Sequence, residues 1–142
     1  MPFRKKIDDG AERLANVTFF EGFTPKELAR VGELVEEVDA EAGAELMEQG
    51  RPGLECYVVV AGEAGVYVGG QWVAKIGPGE MVGEMALIDH KPRSATVKAV
   101  TPMKLLSLDA KRFRTLLDEM PKAAAAVMSK LSERLRSDNL AE

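Results

Sequence analysis

From Glu45 to Leu108 the chain runs as short stretches of β-branched and apolar residues. Glycine cuts them at Gly50, Gly53, Gly62, Gly69-Gly70 and Gly77-Pro78-Gly79, and Thr101-Pro102 makes a last break. Strands that short, joined by turn residues instead of helices, pair by hairpins, so this stretch is antiparallel β and not a βαβ array. Gly69-Gly70 lies between Val66-Tyr67-Val68 and Gln71-Trp72-Val73, where two residues of positive φ close a tight hairpin. The pattern predicts a β-roll over 44–108 with about seven or eight strands.

Helical patterning flanks the roll. Phe3, Ile7, Ala11 and Leu14 recur at helical spacing and predict a short amphipathic helix from Phe3 to Ala15. Thr24-Pro25-Lys26-Glu27 is a capping box with proline at the first helical position, and it starts a second helix. Leu28, Val31, Leu34, Val35 and Val38 then form one apolar stripe that ends before Ala42-Gly43, so 1–40 reads as an N-terminal helical segment. After the roll, Asp109 caps a helix through Glu119, Pro121 breaks it, and Lys122 to Asp138 forms a last helix within a C-terminal segment of 109–142. Its apolar face is Ala124, Val127, Met128, Leu131 and Leu135, expected to pack on the roll or on a dimer mate. Met47, Met81, Met85, Met103, Met120 and Met128 read as gap-filling core. All of this fits one domain of 142 residues, whose 46% hydrophobic content is enough for a core.

Composition removes most chemistries. Lys plus Arg number 19 against 23 Asp plus Glu, and the resulting charge of −4 disfavours a general nucleic-acid or anionic-membrane binder. Cys56 and His90 are the only residues of their kinds, which excludes disulfides, Cys-based zinc patterns and His-rich metal sites. They read as a buried small thiol and an ordinary loop histidine. Gly77 and Gly79 suggest a dinucleotide loop, but Val82 stands where the third glycine of that fingerprint belongs. No window is apolar enough to span a membrane, and the N-terminus lacks a signal-peptide core. The expectation is a cytoplasmic protein without catalytic or metal-ligating residues.

The informative stretch is Gly79-Glu80-Met81-Val82-Gly83-Glu84-Met85-Ala86-Leu87-Ile88-Asp89-His90-Lys91-Pro92-Arg93-Ser94-Ala95-Thr96. Glu84 to Asp89 can form one helical turn after a glycine, aiming free backbone N–H groups at an anion. Arg93 returns nine residues after Glu84 and can add a bidentate fork to the same anion, while a glutamate accepts from vicinal sugar hydroxyls. Taken singly, Glu84 reads as a solvated loop carboxylate and Arg93 as a surface cation. Joined in one cassette over 82–96, they describe a sugar-phosphate cradle.

Gly83-Glu84-Met85-Ala86-Leu87 and Pro92-Arg93-Ser94-Ala95-Thr96 resemble the phosphate-binding cassette of the cyclic-nucleotide-binding domain family. That family is shared by kinase regulatory subunits, nucleotide-gated channels and the bacterial catabolite-activator group. The resemblance extends from Phe19-Phe20-Glu21-Gly22-Phe23 through Tyr57-Val58-Val59-Val60-Ala61-Gly62-Glu63 to the last helix.

It implies a jelly-roll β-sandwich flanked by helices, and a non-catalytic sensor whose ligand is cAMP or cGMP, with no other cofactor. Glu84 looks like the acceptor for the ribose 2′-hydroxyl and Arg93 like the partner of the cyclic phosphate. The amides of Met85, Ala86 and Ser94 complete the cage, within a ligand set of Val82, Gly83, Glu84, Met85, Ala86, Arg93, Ser94 and Ala95. Val66 and Val73, with Val82, are similar in position to residues that wall the base. Leu131 or Leu135, with Arg134 behind, is the candidate lid. Val82 departs from the family, which often has an aromatic there, and the change concerns packing more than chemistry.

Ser94 has three readings: a phosphate contact, a contact to a guanine amino group, or a bond to its own backbone. Family members selective for cGMP often carry threonine at this place, so the serine favours cAMP. The bacterial regulators place a helix-turn-helix domain after this helix, whereas this sequence stops at Glu142. The expected partners are therefore the nucleotide and an effector protein in trans, or else the sequence is a fragment. Nucleic acid and membrane are not expected partners, and a homodimer through the last helix is an open expectation. Two other readings stand beside this one. A cupin-type enzyme lacks its metal ligands here, and a ligand-free interaction module with a vestigial cassette is argued against by intact Glu84 and Arg93.

Overall fold

The computed structural model of the protein describes residues 3–6, 14–129 and 132. Among them are nine strands: β1 (Phe3–Lys6), β2 (Glu36–Ala40), β3 (Glu45–Met47), β4 (Glu55–Ala61), β5 (Ala64–Val68), β6 (Gln71–Ile76), β7 (Met81–Val82), β8 (Thr96–Ala99) and β9 (Met103–Asp109). They form two antiparallel sheets, ordered β1-β2-β9-β4-β7 and β3-β8-β5-β6. Around the sheets lie α1 (Pro25–Leu34), α2 (Glu84–Asp89), α3 (Ala110–Glu119) and a helical run over 121–129, here α4. This is the β-sandwich with flanking helices that the sequence predicts. Among the described residues no helix is long and apolar enough to cross a membrane.

β4 is buried on both faces, which explains its unbroken apolar run. Alternate side chains of a strand point to opposite faces. Tyr57 and Val59 enter the core between the sheets with Val38, Val82, Val97 and Leu105. Cys56 and Val58 enter a second core with Phe20, Leu28, Val31, Phe113 and Leu116, beneath the helices. Gly69 and Gly70 close the β5–β6 hairpin with φ of 59° and 82°, leaving Val68 opposite Gln71. A side chain at either position would face the steric cost of the left-handed region.

The N-terminal boundaries differ from expectation. Phe3–Lys6 is a strand paired antiparallel to β2, in a register that sets Lys5 opposite Glu37 and Lys6 opposite Glu36. Pairing with the open edge of β2 overrides a weak helical spacing in so short a segment. Residues 7–13, the rest of the predicted first helix, lie outside the described residues. The capping box forms as expected: the Glu27 amide donates to Thr24 Oγ1 at 3.2 Å and the Thr24 amide to Glu27 Oε1 at 2.8 Å. The helix it starts ends at Leu34, so the predicted stripe joins two elements. Leu28, Val31 and Leu34 face the helical core, while Val38 lies in β2 between the sheets. The roll therefore begins at β1 and β2, not at residue 44.

At the other end Asp109 accepts from the Arg112 amide at 2.8 Å and starts α3. Met120, Ala123 and Val127 are buried beneath α4, whereas Met128 is 67% exposed. The buried face thus runs through 120, 123 and 127, about a hundred degrees from Met128 on a helix of 3.6 residues per turn. Met85, also expected in the core, is exposed because α2 turns Glu84, Ala86 and Leu87 inward instead.

Ion pairs join the helices from the two ends of the chain. Arg30 Nε and Nη2 donate to the two carboxylate oxygens of Glu119, each at 2.9 Å. Lys122 Nζ donates to the Gly22 carbonyl at 2.8 Å and to Glu27 at 2.9 Å. The hydrogen bonds from Arg30 hold the Glu119 carboxyl below its ordinary value of 4.5. A carboxylate depressed in the folded state adds stability above its ordinary value and forfeits it as pH falls through the folded one. Thermal melts should therefore show a drop in midpoint below pH 4.5 that is smaller in Arg30→Met than in the wild type; parallel acid limbs would disprove the coupling.

Candidate functional site

Gly83 sits between β7 and α2 with φ of +90°. The left-handed turn swings the chain from the sheet edge straight into α2, so the first helical residue, Glu84, points inward and is fully buried. Only glycine fits here. A Cβ at Gly83 would lie 2.5 Å from Met47 Cε and 2.7 Å from Arg93 Nη1. Its carbonyl accepts from Arg93 Nη1 at 2.7 Å.

Arg93 lies between α2 and β8 and is 8% exposed. Its Nη2 donates to the Glu55 carbonyl in a short hydrogen bond. Its backbone is gripped as well: the Arg93 amide donates to the Arg51 carbonyl at 2.8 Å, and the Gly50 amide donates to the Arg93 carbonyl at 2.9 Å. The loop between β3 and β4 therefore holds the main chain of Arg93, while the β4 and β7 ends hold its guanidinium. Burial pushes the guanidinium below its ordinary value, opposed by Tyr57, Cys56, Glu55 and Glu84 around it. The Cys56 thiol beside them is pushed up, first by burial and then by the Glu84 carboxylate, so it stays protonated and unreactive.

Beside Arg93 opens a cleft of about 190 Å³, lined by Leu46, Met47, Glu48, Arg51, Pro52, Leu54, Glu55 and Tyr57. The Tyr57 hydroxyl donates to Glu55 Oε1 at 2.5 Å within it, and its lining mixes apolar Leu46, Met47, Pro52 and Leu54 with charged Glu48 and Arg51. A buried guanidinium beside a small cleft of mixed apolar and charged lining suits an anion carrying a flat or aliphatic body.

The structure brings Gly83, Glu84, Ala86 and Arg93 into one place. Val82 is buried between the sheets, opposite Tyr57. Met85 and Ser94 are exposed and Ala95 half-buried. Val66 packs on the inter-sheet core, whereas Val73 is 56% exposed on β6, and neither lines the cleft. Leu131, Leu135 and Arg134 lie outside the described residues. His90, exposed at φ 60°, ends α2 by donating its amide to the Ala86 carbonyl at 3.1 Å. Among the described residues no three His, Cys, Asp or Glu side chains are grouped to hold a metal ion.

Sequence reasoning missed the β3–β4 side of the site. A Cβ at Gly53 would collide with Ala86 Cβ and come within 3.2 Å of Arg93 Cζ, so this glycine lets the loop close over both. Gly50 and Gly53 are visible in the sequence as turn punctuation; that the turn folds onto Arg93 is a long-range fact with no local signal. Glu55 and Tyr57 are ordinary strand residues until β4 is paired with β7.

A family model described as the cyclic nucleotide-binding domain matches residues 37–120. The CRP-like cAMP-activated global transcriptional regulator of Mycobacterium tuberculosis is 26% identical over 135 residues, covering 90% of this chain and 59% of that protein. The crystal structure of the Thermus thermophilus catabolite activator protein superposes with a TM-score of 0.79 at 31% identity, covering 87% of this chain and 60% of that one. A cAMP-binding acyltransferase from Mycobacterium smegmatis gives a TM-score of 0.77 at 30% identity, over 89% of this chain and 41% of that one. The chain spans about six tenths of the length of the curated relatives it matches. The matched span runs from within β2 to the end of α3 and contains every residue that grips Arg93. This chain belongs to the cyclic nucleotide-binding domain family.

Proposed function

We propose that the domain binds a cyclic nucleotide, cAMP in preference to cGMP, as a regulatory sensor that performs no catalysis itself. The observation that carries this reading is Glu84 and Arg93 buried together around Gly83. A guanidinium has five N–H donors, and two hydrogen bonds go to the carbonyls of Gly83 and Glu55. The remaining donors serve a cyclic phosphate, and a carboxylate next to it serves the ribose 2′-hydroxyl. Relatives named for cAMP support the choice of ligand.

Glu84 is fully buried in this structure, so a ribose reaches its carboxylate only if the surrounding groups part. Binding and conformational change are then one event, and the ligand shifts the population toward the arrangement that exposes both anchors. The helix beyond α3 closes over the base in that arrangement, with Leu131 or Leu135 as lid. Calorimetric titration with cAMP, cGMP and linear AMP tests the reading: saturable heat with the cyclic nucleotides and little with linear AMP is expected. Absence of heat with all three would leave the domain as an interaction module.

Arg93→Ala should weaken cAMP by about 3 kcal/mol, since a desolvated charge loses its partner, which is on the order of a hundredfold in affinity. Arg93→Lys should fail nearly as badly because an ammonium cannot reproduce the planar fork. Circular dichroism confirms that each variant is folded; wild-type affinity in either sinks the phosphate assignment.

Glu84→Gln should cost about 1.5–3 kcal/mol, the range for a hydrogen bond to a charged group. The 2′-deoxy analogue of cAMP should lose a similar amount on the wild type. The two losses should not add, because both delete one contact. Additivity in that cycle would separate Glu84 from the 2′-hydroxyl.

Ser94 is exposed and able to turn its hydroxyl toward a phosphate. Ser94→Ala should weaken cAMP and cGMP alike by about 1 kcal/mol. A loss confined to cGMP in competition titration would make guanine the intended base.

A further inference from the structure

The β5–β6 hairpin is held at its base, where β5 pairs with β8 and Ala64 and Ile76 are buried, and only thinly towards its tip. β6 is the edge strand of its sheet, paired only to β5, and Gln71 through Lys75 are all exposed. Its tip is Gly69-Gly70, which brings no side chain. The tip is nevertheless tied down from a distance. The Gly69 amide donates to Gln49 Oε1 at 2.9 Å, and the Gln49 amide donates to Thr96 Oγ1 at 3.0 Å, where β8 begins. The next two residues, Gly50 and Arg51, form the paired main-chain bridge to Arg93. A single residue thus joins three segments: the hairpin through its side chain, the start of β8 through its amide, and Arg93 through its neighbours.

We propose that Gln49 is a positioning residue of the nucleotide site, holding the tip of the β5–β6 hairpin to the loop that grips the buried arginine. This rests on the cyclic-nucleotide reading above, in which a ligand at Arg93 acts on the loop that grips it. Displacement of Arg93 by a ligand passes through the Gly50–Arg51 bridge to Gln49 and from there to Gly69. The bond to Gly69 uses only the acceptor oxygen of the amide, so the chemistry required at this position is an oxygen at the right reach. Glutamate supplies one and alanine does not.

The test compares wild type, Gln49→Ala and Gln49→Glu. Calorimetry gives cAMP affinity, and amide hydrogen exchange at Gly69 gives the state of the tie. Trp72, the single tryptophan of the chain, reports the hairpin by fluorescence, since it is half exposed with its ring edge-on to Tyr67 at 5.5 Å. Gln49→Ala should bind cAMP about fivefold more weakly, the size of one ordinary hydrogen bond. It should exchange faster at Gly69, and cAMP should change Trp72 fluorescence less than it does in the wild type, where a change is expected. Gln49→Glu should restore all three. Wild-type behaviour of the alanine variant, or a glutamate variant as impaired as alanine, overturns the proposal.

Should the wild type give no heat with cAMP, the nucleotide reading fails by itself, and the tie is judged without nucleotide. Faster Gly69 exchange in Arg93→Lys then supports the link from arginine to hairpin, and unchanged exchange overturns it.

Discussion

Arg93, a charged residue with 8% of its surface left to solvent, is costly to place in this domain. Arg93 is buried, and its charge must be satisfied by oxygens arranged around it. Two backbone carbonyls do so, from Gly83 and Glu55, and each belongs to a strand end that has to arrive at the same point. The requirement reaches outward from there. Gly83 must be glycine because its positive φ aims its carbonyl, and a Cβ there would meet the arginine. Gly53 must be small because it packs on Arg93 and Ala86. The β3–β4 loop must bridge the Arg93 backbone. On the nucleotide reading proposed above, the N–H groups beyond these two bonds are what Arg93 would offer an anion.

The architecture makes that convergence rigid. β4 contributes to both cores at once, Tyr57 and Val59 to one face and Cys56 and Val58 to the other. It is also paired on both edges, to β7 and β9. A strand buried on four sides cannot slide by one residue without moving every side chain to the wrong core. Glu55, at its start, therefore offers its carbonyl from a fixed position. Gly83, just past β7, is held in the same frame because Tyr57 pairs with Val82.

What the sequence disclosed and what it hid divide along the range of the interaction. The Thr24 capping box, the Asp109 cap and the Gly69-Gly70 hairpin each depend on residues within four positions of one another, and each formed as read. The cassette was legible for the same reason, its glycine, glutamate and arginine lying within eleven consecutive residues from Gly83 to Arg93. The Phe3–Lys6 strand was not, since its conformation is set by β2, thirty or more residues away. The end of α1 was misplaced because Val35 and Val38 continue the apolar spacing of the helix. Pairing of β2 with β9 decides that boundary. The contributions of Gly53, Glu55 and Tyr57 to the site follow from sheet pairing and are invisible to any local pattern.

Burial of both anchors also sets how such a site responds to a ligand. A solvated Glu84 and a mobile Arg93 would bind a sugar phosphate as a surface patch does, with affinity but little consequence for the fold. Here Glu84 is sealed and Arg93 is already bonded to the ends of β4 and β7. On the nucleotide reading proposed above, a phosphate would compete with, or share, bonds that hold the frame together, and part of its binding energy would go into rearranging those strand ends. The same bonds run through the Gly50–Arg51 bridge to the loop that ties the hairpin. On that reading, the arrangement that makes the arginine expensive to bury would give a bound nucleotide mechanical access to elements it never touches.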